Sequence, residues 1–216
     1  NKRIFKKFKM KKYFVIGNPI EHSLSPKLHN HWIKENKINA IYNKIRLNEN
    51  EIKNIIKNVK NEKISGINVT VPFKKSVIPF IDELTPIAKK VESVNTIYKK
   101  NNKIIGDNTD VGGFEKALKH ISYSVKNKIA FLLGAGGVAP AIIMALKTMG
   151  VEKIILSNRT KQKAENLKKI YSEIEVIDWG EIPDFDLIIN ATSLGLKDSD
   201  KINLNYNKCG SKKLFF

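Results

Sequence analysis

The stretch KIAFLLGAGGVAPAIIMALKTMG, residues 128–150, is the clearest indication of how the second half of this chain folds. Its first six residues are a continuous apolar run, which is typical of a strand buried on both faces of a parallel sheet. A glycine-rich turn follows at 134–138, and the residues from 140 onward have the composition of an apolar helix. The order strand, turn, helix predicts the first unit of an α/β nucleotide-binding fold.

Two glycines and an alanine give the turn its chemistry. Gly134, Gly136 and Ala139 match the G-x-G-x-x-G/A dinucleotide fingerprint in its proper context. The first glycine permits the tight turn, the second lets the backbone approach a pyrophosphate, and the small third residue lets helix and strand pack closely. The alternative is a structural glycine-rich turn. The dinucleotide hypothesis gives these candidate residues: Gly134, Ala135, Gly136, Gly137 and Val138.

The next predicted strand, residues 153–157, indicates which dinucleotide is bound. A site for NAD normally has an acidic residue near the end of this strand, where it bonds the ribose 2′-hydroxyl. Here the sequence continues SNRTKQK, with no acid and with Asn158, Arg159, Thr160 and Lys163 as candidates. A guanidinium pairs with a 2′-phosphate, so the segment favours NADP. The alternative is that Arg159 and Lys163 are ordinary surface cations near a helix start.

A further buried strand is predicted within DFDLIINATSLGL, residues 184–196. It ends in a polar loop containing Asn190, Thr192 and Ser193. These side chains lie where the ribose or nicotinamide of a cofactor would bind, and they are equally typical of a turn.

The first half alternates predicted strands and helices, which makes the whole chain an α/β protein. We expect strands at 13–17, 39–47, 64–71, 95–100 and 103–107, and helices at 27–36, 49–59 and 87–93. Ser25 before Pro26 and Thr85 before Pro86 are typical helix N-caps. The Asn-rich turn at 101–102 predicts a hairpin. A helix after Asp110 is expected to bury Phe114, Leu118 and Ile121, and we divide the chain into domains 1–109 and 110–216.

The stretch NVTVPFKK, residues 68–75, suggests a ligand site in the first domain. Val69, Val71 and Phe73 alternate with polar residues and a proline, which predicts a half-buried strand. Lys74 would then lie at the carboxyl end of that strand, where ligands bind in open α/β sheets. The alternative is a solvated lysine at the start of a surface helix.

Composition limits the classes of function. The 216 residues include 39 Lys plus Arg and 21 Asp plus Glu, for a net charge of +18. The lysines are spread along the whole chain, so we expect no nucleic-acid partner. No run of 18 apolar residues is present, so we expect no membrane span, and one cysteine, Cys209, fits a reducing cytoplasmic location. No metal site is predicted, and residues 1–9 form a possible basic extension before Met10.

The motifs together resemble the shikimate dehydrogenase family between about residues 13 and 196. They occur in this order: GNPIEHSLSP, NVTVPFK, NTI, GDNTDVGG, GAGGVA, SNRT and NATSLG. The resemblance implies an N-terminal α/β substrate-binding domain, an NADP-binding Rossmann domain and a cleft between them. It implies reversible reduction of 3-dehydroshikimate to shikimate in aromatic amino-acid biosynthesis.

The resemblance also implies roles for individual residues. Ser23 and Ser25 would bind the substrate carboxylate, and Lys74 and Asp110 would be the catalytic pair, which also contacts substrate. The ring hydroxyls would contact Asn68, Thr70 and Asn95. From the residues alone, Asp110 is an equally good N-cap for the following helix.

Two alternative functions remain from the sequence. The chain could be a quinate/shikimate dehydrogenase that uses NAD or both cofactors, or a catalytically silent protein that binds metabolites or nucleic acid. The oligomeric state could be monomer or homodimer.

The sequence ends at KKLFF, residues 212–216, which resembles the start of another buried strand, whereas the family continues for several dozen residues. We therefore expect a partial member with an apolar stub, weak binding, low activity and a tendency to aggregate.

Overall fold

This computed structural model describes residues 10–195, 200–202, 204–205, 209 and 212–216. The chain divides between Thr109 and Asp110 into two compact units. Each unit contains its own sheet.

The first unit is built on a six-stranded mixed sheet with strand order β2-β1-β3-β5-β6-β4. The strands are β1 (Lys11–Gly17), β2 (Ala40–Arg46), β3 (Gly66–Val69), β4 (Glu83–Leu84), β5 (Thr96–Lys100) and β6 (Lys103–Asp107). Strand β1 pairs in parallel with β2 and β3, and β5 runs antiparallel to β3 and β6. The predicted hairpin is therefore confirmed, with Asn101 and Asn102 at φ values of 49° and 62° in its turn.

Three helices cover this sheet: α1 (Ser25–Glu35), α2 (Ile52–Lys60) and α3 (Pro86–Val91). Short 3₁₀ turns lie at Glu49–Glu51 and Ile78–Phe80. Helix α2 buries Ile52, Ile55, Ile56 and Val59, the i, i+3, i+4, i+7 face of an amphipathic helix. Thr85 is the N-cap of α3, as predicted, because its side chain accepts a hydrogen bond from the amide of Ala88.

Two expectations for the first unit are wrong. Strand β3 ends at Val69 rather than continuing to Val71, and Val71 is 59% exposed while Phe73 is buried. The alternation fails because a turn begins at Val71, so that side chain no longer follows the pleat. The predicted cap at Ser25 is also wrong, because α1 already begins at Ser25 and Leu24 occupies the N-cap position.

The second unit contains a five-stranded sheet in which every pairing is parallel, with order β11-β10-β7-β8-β9. The strands are β7 (Ile129–Leu133), β8 (Lys153–Ser157), β9 (Glu175–Ile177), β10 (Leu187–Asn190) and β11 (Leu214–Phe215). The helices are α4 (Asp110–His120), α5 (Ala139–Thr148) and α6 (Lys161–Ile170). The chain runs outward from β7 through β8 to β9 and then returns to the other side of β7. This is the 3-2-1-4-5 strand order of a Rossmann unit, and its topological switch point lies between β7 and β10.

The core of the second unit follows the sequence prediction closely. Residues 130–133 of β7 are at most 1% exposed, as expected of a central parallel strand. Ala139 is fully buried at the start of α5, which allows the helix to pack closely. Ile121, expected in the core, is 48% exposed because α4 ends one residue earlier, at His120.

The last strand of the described sheet was expected to be buried. Strand β11 forms and pairs with β10, but Phe215 is 55% exposed and Phe216 is 42% exposed. These side chains lie at an edge strand of the sheet. Within the described residues, no helix has the length and apolar character needed to cross a membrane.

We predict that Gly134→Ala destabilises the protein, whereas Gly136→Ala does not. Gly134 has φ +106°, and a Cβ there would lie 2.8 Å from the carbonyl carbon and oxygen of Ala191. The backbone conformation alone costs a non-glycine residue about 1–3 kcal/mol. A Cβ on Gly136 would meet no atom nearer than 3.9 Å. Thermal unfolding of both variants tests this, and equal midpoints would contradict it.

Candidate active site

The glycine turn after β7 is tied to the loop after β8. The amide of Gly134 donates to the carbonyl of Ser157 at 2.8 Å. The amide of Ala135 donates to Oδ1 of Asn158 at 3.0 Å, and Nδ2 of Asn158 donates to the carbonyl of Thr160 at 2.8 Å. Two predicted cofactor residues, Ala135 and Asn158, therefore have a structural role in holding these loops together.

The same turn offers backbone donors for an anion. Among the residues that the structure describes, no protein acceptor faces the amide of Gly136 or that of Val138. Both precede helix α5, where the helix dipole also favours negative charge. Gly137 lies between them. The turn therefore fits a phosphate group approaching along the backbone.

Two exposed cations follow β8. No acidic side chain in the described ranges pairs with Arg159 or Lys163. Lys161 differs, because the Asp178 carboxylate accepts its hydrogen bond at 2.6 Å and raises the pKa of Lys161. Thr160 is exposed at the N-cap position of α6 without a side-chain cap. The end of β8 is therefore basic and lacks the carboxylate that an NAD site normally has.

The loop after β10 is closed by its own side chains. Oδ1 of Asn190 accepts from the amide of Thr192 at 3.0 Å and from its hydroxyl at 2.7 Å. Nδ2 of Asn190 donates to the carbonyl of Leu194 at 3.0 Å. Asn190 and Thr192 are thus turn residues, one of the two roles left open by the sequence. Ser193 is exposed in the same loop, and contact of these residues with cofactor stays a prediction.

In the first unit, the two serines before α1 have different roles. The hydroxyl of Ser23 accepts a hydrogen bond from the amide of Ser25 at 3.3 Å. The hydroxyl of Ser25 has no protein partner in the described part of the chain. Because Ser23 satisfies the helix amide, Ser25 does not have to choose between capping and binding a ligand.

Asn68 is held at the carboxyl end of β3 by three hydrogen bonds. Its Oδ1 accepts from the hydroxyl of Tyr42 at 2.7 Å. Its Nδ2 donates to the carbonyl of Asn95 at 3.2 Å and to the hydroxyl of Thr96 at 3.1 Å. Sequence reasoning did not find Tyr42, since a tyrosine within a predicted strand carries no local signal of a ligand site.

Asn95 belongs to the same polar network. Its Oδ1 accepts from the hydroxyl of Thr96 at 2.9 Å and from the amide of Thr109 at 3.0 Å. Its Nδ2 donates to the hydroxyl of Thr109 at 2.9 Å. Asn95 is 8% exposed, so these bonds fix its side chain in a largely desolvated position. The structure thus brings Asn68 and Asn95 together through Thr96.

Thr70 lies just beyond β3. Its amide donates to the carbonyl of Ile16, and its methyl group lies so close to Gly17 that a Cβ there would be 2.6 Å away. The described residues supply no partner for the Thr70 hydroxyl. The contact with Gly17 therefore holds the side chain of Thr70 in place, and its hydroxyl remains able to bond a ligand.

Lys74 and Asp110 lie in different units. Lys74 follows the end of β3 by five residues rather than standing directly at a strand end, and its carbonyl accepts from the amide of Val94 at 2.8 Å. It is half-buried, whereas Lys75 is exposed. Asp110 is the first residue of α4 and is also half-buried. Their catalytic roles stay predictions.

Fold and site together define a two-unit α/β protein whose second unit is of the dinucleotide-binding Rossmann type. Family models match both units: the shikimate dehydrogenase substrate binding domain at residues 15–97, and shikimate / quinate 5-dehydrogenase at residues 115–197. The chain therefore belongs to the shikimate dehydrogenase family, which confirms the resemblance seen in the sequence.

Individual proteins agree with this assignment. The chain is 61% identical over 208 residues to shikimate dehydrogenase (NADP(+)) of Pelagibacter ubique, covering 96% of this chain and 78% of that protein. It superposes on shikimate dehydrogenase from Aquifex aeolicus with a TM-score of 0.88 and 41% identity, covering 95% and 77% of the two chains. The Thermus thermophilus enzyme in complex with NADP(H) and shikimate gives a TM-score of 0.82 at 30% identity, covering 92% and 74%.

We predict that Ser23→Ala and Ser25→Ala differ in stability. Ser23→Ala removes the acceptor for the amide of Ser25, the first residue of α1, and loss of one such hydrogen bond costs about 0.5–1.5 kcal/mol. Ser25→Ala removes a hydroxyl that has no protein partner among the described residues and should leave stability unchanged. Urea unfolding of both variants checks this. Equal losses would show that the Ser23 hydroxyl does not stabilise the helix start.

Proposed function

We propose that this chain catalyses the reversible, NADP-dependent reduction of 3-dehydroshikimate to shikimate in aromatic amino-acid biosynthesis. The observation that carries the proposal is 61% identity, over 96% of the chain, to a shikimate dehydrogenase (NADP(+)). The basic, acid-free end of β8 supports the choice of cofactor. Oxidation of shikimate with NADP or NAD, followed optically, is the direct test, and parallel assays with quinate separate this function from a quinate/shikimate dehydrogenase.

The residues of the second unit fit NADP. The amides of Gly136 and Val138 would bind the pyrophosphate at the start of α5. Arg159 and Lys163 would bind the 2′-phosphate, and the absence of a carboxylate beside them removes a repulsion that NADP could not tolerate. NADPH, when bound, supplies the hydride for the reduction.

The polar side chains of the first unit would hold the substrate. Ser23 and Ser25 would donate hydroxyl hydrogen bonds to the substrate carboxylate. The ring hydroxyls would bind to Asn68, Thr70 and Asn95. Several polar contacts to one small hydroxylated acid give specificity, because an analogue that leaves one of them unpaired in a closed site loses affinity.

Lys74 and Asp110 would carry out the proton chemistry. Hydride addition to the C3 carbonyl leaves developing negative charge on the oxygen. The ammonium of Lys74 would stabilise this charge and deliver a proton to that oxygen. The carboxylate of Asp110 would orient the lysine and bind the same hydroxyl in shikimate. The half-buried position of Lys74, compared with the exposed Lys75, supports this choice of lysine.

Location and assembly are also proposals. The single cysteine fits a reducing, cytoplasmic compartment. We propose a monomer or homodimer acting on a small-molecule substrate, with neither nucleic acid nor membrane as a partner. The dispersed distribution of lysines along the sequence supports this view.

We predict that Arg159→Glu raises the KM for NADP by about 10–100-fold, the effect of losing a charge-assisted hydrogen bond. The KM for NAD should change little, because NAD has no 2′-phosphate. The matched control is Lys169→Glu, which makes the same charge change at an exposed position near the other end of α6. Steady-state kinetics with both cofactors checks this, and an unchanged NADP preference would show that Arg159 does not bind the phosphate.

We predict that Lys74→Ala lowers kcat by about 10²–10⁴-fold, the usual range for a proton-transfer group. Lys75→Ala is the matched control at the neighbouring exposed position and should be nearly silent. Both variants should keep the wild-type unfolding temperature. Equal losses of kcat at the two positions would mean that Lys74 has no special role.

A further inference from the structure

The orientation of the Asn68 amide is fixed by its surroundings. One end of this amide lies 3.2 Å from the backbone carbonyl oxygen of Asn95, which can only accept a hydrogen bond. That end must therefore be Nδ2, and Oδ1 must face Tyr42. Because an amide oxygen has no hydrogen to give, the Tyr42 hydroxyl is necessarily the donor in the 2.7 Å bond.

Tyr42 is itself held rigidly on β2. Asn30 of α1 bonds both backbone groups of Tyr42, donating to its carbonyl at 2.7 Å and accepting from its amide at 2.9 Å. The phenol ring stacks on His29 with a centroid separation of 4.2 Å and an interplanar angle of 5°. The side chain is 3% exposed, and burial raises the pKa of Tyr42, so the hydroxyl keeps its proton.

These bonds leave Asn68 with one remaining capacity. Both hydrogens of Nδ2 are used, by the Asn95 carbonyl and the Thr96 hydroxyl. Oδ1 accepts once from Tyr42, and an amide oxygen accepts two hydrogen bonds. Asn68 has no further partner among the described residues. A ligand at Asn68 therefore meets an acceptor and must itself donate.

We propose that Tyr42 is a positioning residue: together with the Asn95 carbonyl and the Thr96 hydroxyl, its hydroxyl holds the Asn68 amide so that Asn68 offers a single acceptor lone pair and selects a ligand that donates a hydroxyl hydrogen there. This inference rests on the proposed function, in which Asn68 contacts a ring hydroxyl. A derivative with a hydrogen or a methoxy group in place of that hydroxyl has nothing to donate. It leaves the lone pair unpaired, which costs more than the loss of one solvated contact.

A purely structural role for Tyr42 predicts something different. If the tyrosine only fills the cluster that it forms with Val15 and Ile20, its hydroxyl has no influence on substrate. Tyr13 provides the matched control, since it pairs with Tyr42 across β1 and β2 and packs against the same cluster. No hydroxyl partner of Tyr13 lies within the described residues.

The experiment is a double-mutant cycle with shikimate and NADP. Tyr42→Phe keeps the ring and its stack on His29. We expect it to raise the KM for shikimate by about 3–10-fold, the effect of one neutral hydrogen bond, and to leave the KM for NADP within about twofold. In an Asn68→Ala background the same change should have less than about a twofold effect. Tyr13→Phe should leave both KM values unchanged.

The specificity of the variants gives a second measurement. Wild type should reject shikimate derivatives that lack, or carry as a methyl ether, one of the ring hydroxyls not oxidised in the reaction. Tyr42→Phe should discriminate less strongly at one of these positions and equally at the other. If Tyr42→Phe does not fold, Tyr42→Met, which also lacks the hydroxyl, replaces it in the same cycle.

The outcomes are distinct. A wild-type protein that does not oxidise shikimate with NADP overturns the proposed function and this inference with it. Turnover by wild type together with an unchanged KM for shikimate in Tyr42→Phe overturns the inference alone. An equal rise in KM in the wild-type and Asn68→Ala backgrounds also overturns it, because Tyr42 would then act independently of Asn68.

Discussion

The close approach of Gly134 to the peptide of Ala191 is the constraint on which the second unit depends. It lies at the switch point, where the turn after β7 and the loop after β10 leave adjacent strands. A side chain at Gly134 would separate these loops, and with them the start of α5. The amides of Gly136 and Val138, the proposed anion donors, follow this contact in the same turn. The first glycine of the fingerprint is thus a packing requirement.

The first unit depends on a different kind of interaction, a network of amides and hydroxyls. Hydrogen bonds link five residues one after another in this order: Tyr42, Asn68, Thr96, Asn95 and Thr109. In the part of the chain that the structure describes, every buried side-chain nitrogen and oxygen has a partner. Such a network is rigid because each lost bond leaves a desolvated group unpaired. Rigid side chains suit recognition of a small hydroxylated molecule, since little conformational entropy remains to be lost on binding.

Unlike the hydrogen-bonded network of the first unit, the charged side chains that form ion pairs lie mostly at the surface. Most of the ion pairs described here are exposed, and such pairs contribute about 0–1 kcal/mol each. The lysines in these pairs are solvated at the surface, and the pairs do not indicate a function. Arg159 and Lys163 are exposed cations like the other basic residues. They are distinguished by their place in the fold, because they follow β8, the neighbour of the strand that leads into the glycine turn. The overall positive charge favours the approach of an anionic cofactor and an anionic acid.

The sequence alone determined the features that depend on neighbouring residues. The apolar run of β7, the tight turn at Gly134, the cap at Thr85 and the Asn-rich hairpin turn were all predicted correctly. Each is specified within a few residues, by side-chain period or by backbone conformation. The family motifs were recognised for the same reason.

The tertiary structure decided what depends on distant residues. The sequence did not show that β3 ends before Val71, that Ser23 rather than Ser25 satisfies the start of α1, or that Ile121 lies outside the core. It gave no sign that Tyr42 bonds Asn68, 26 residues away. A side chain's partners across a sheet are set by strand order and register, which local patterns do not encode. The chemistry of Asn68 therefore follows from its identity in the sequence, but its orientation follows from the fold.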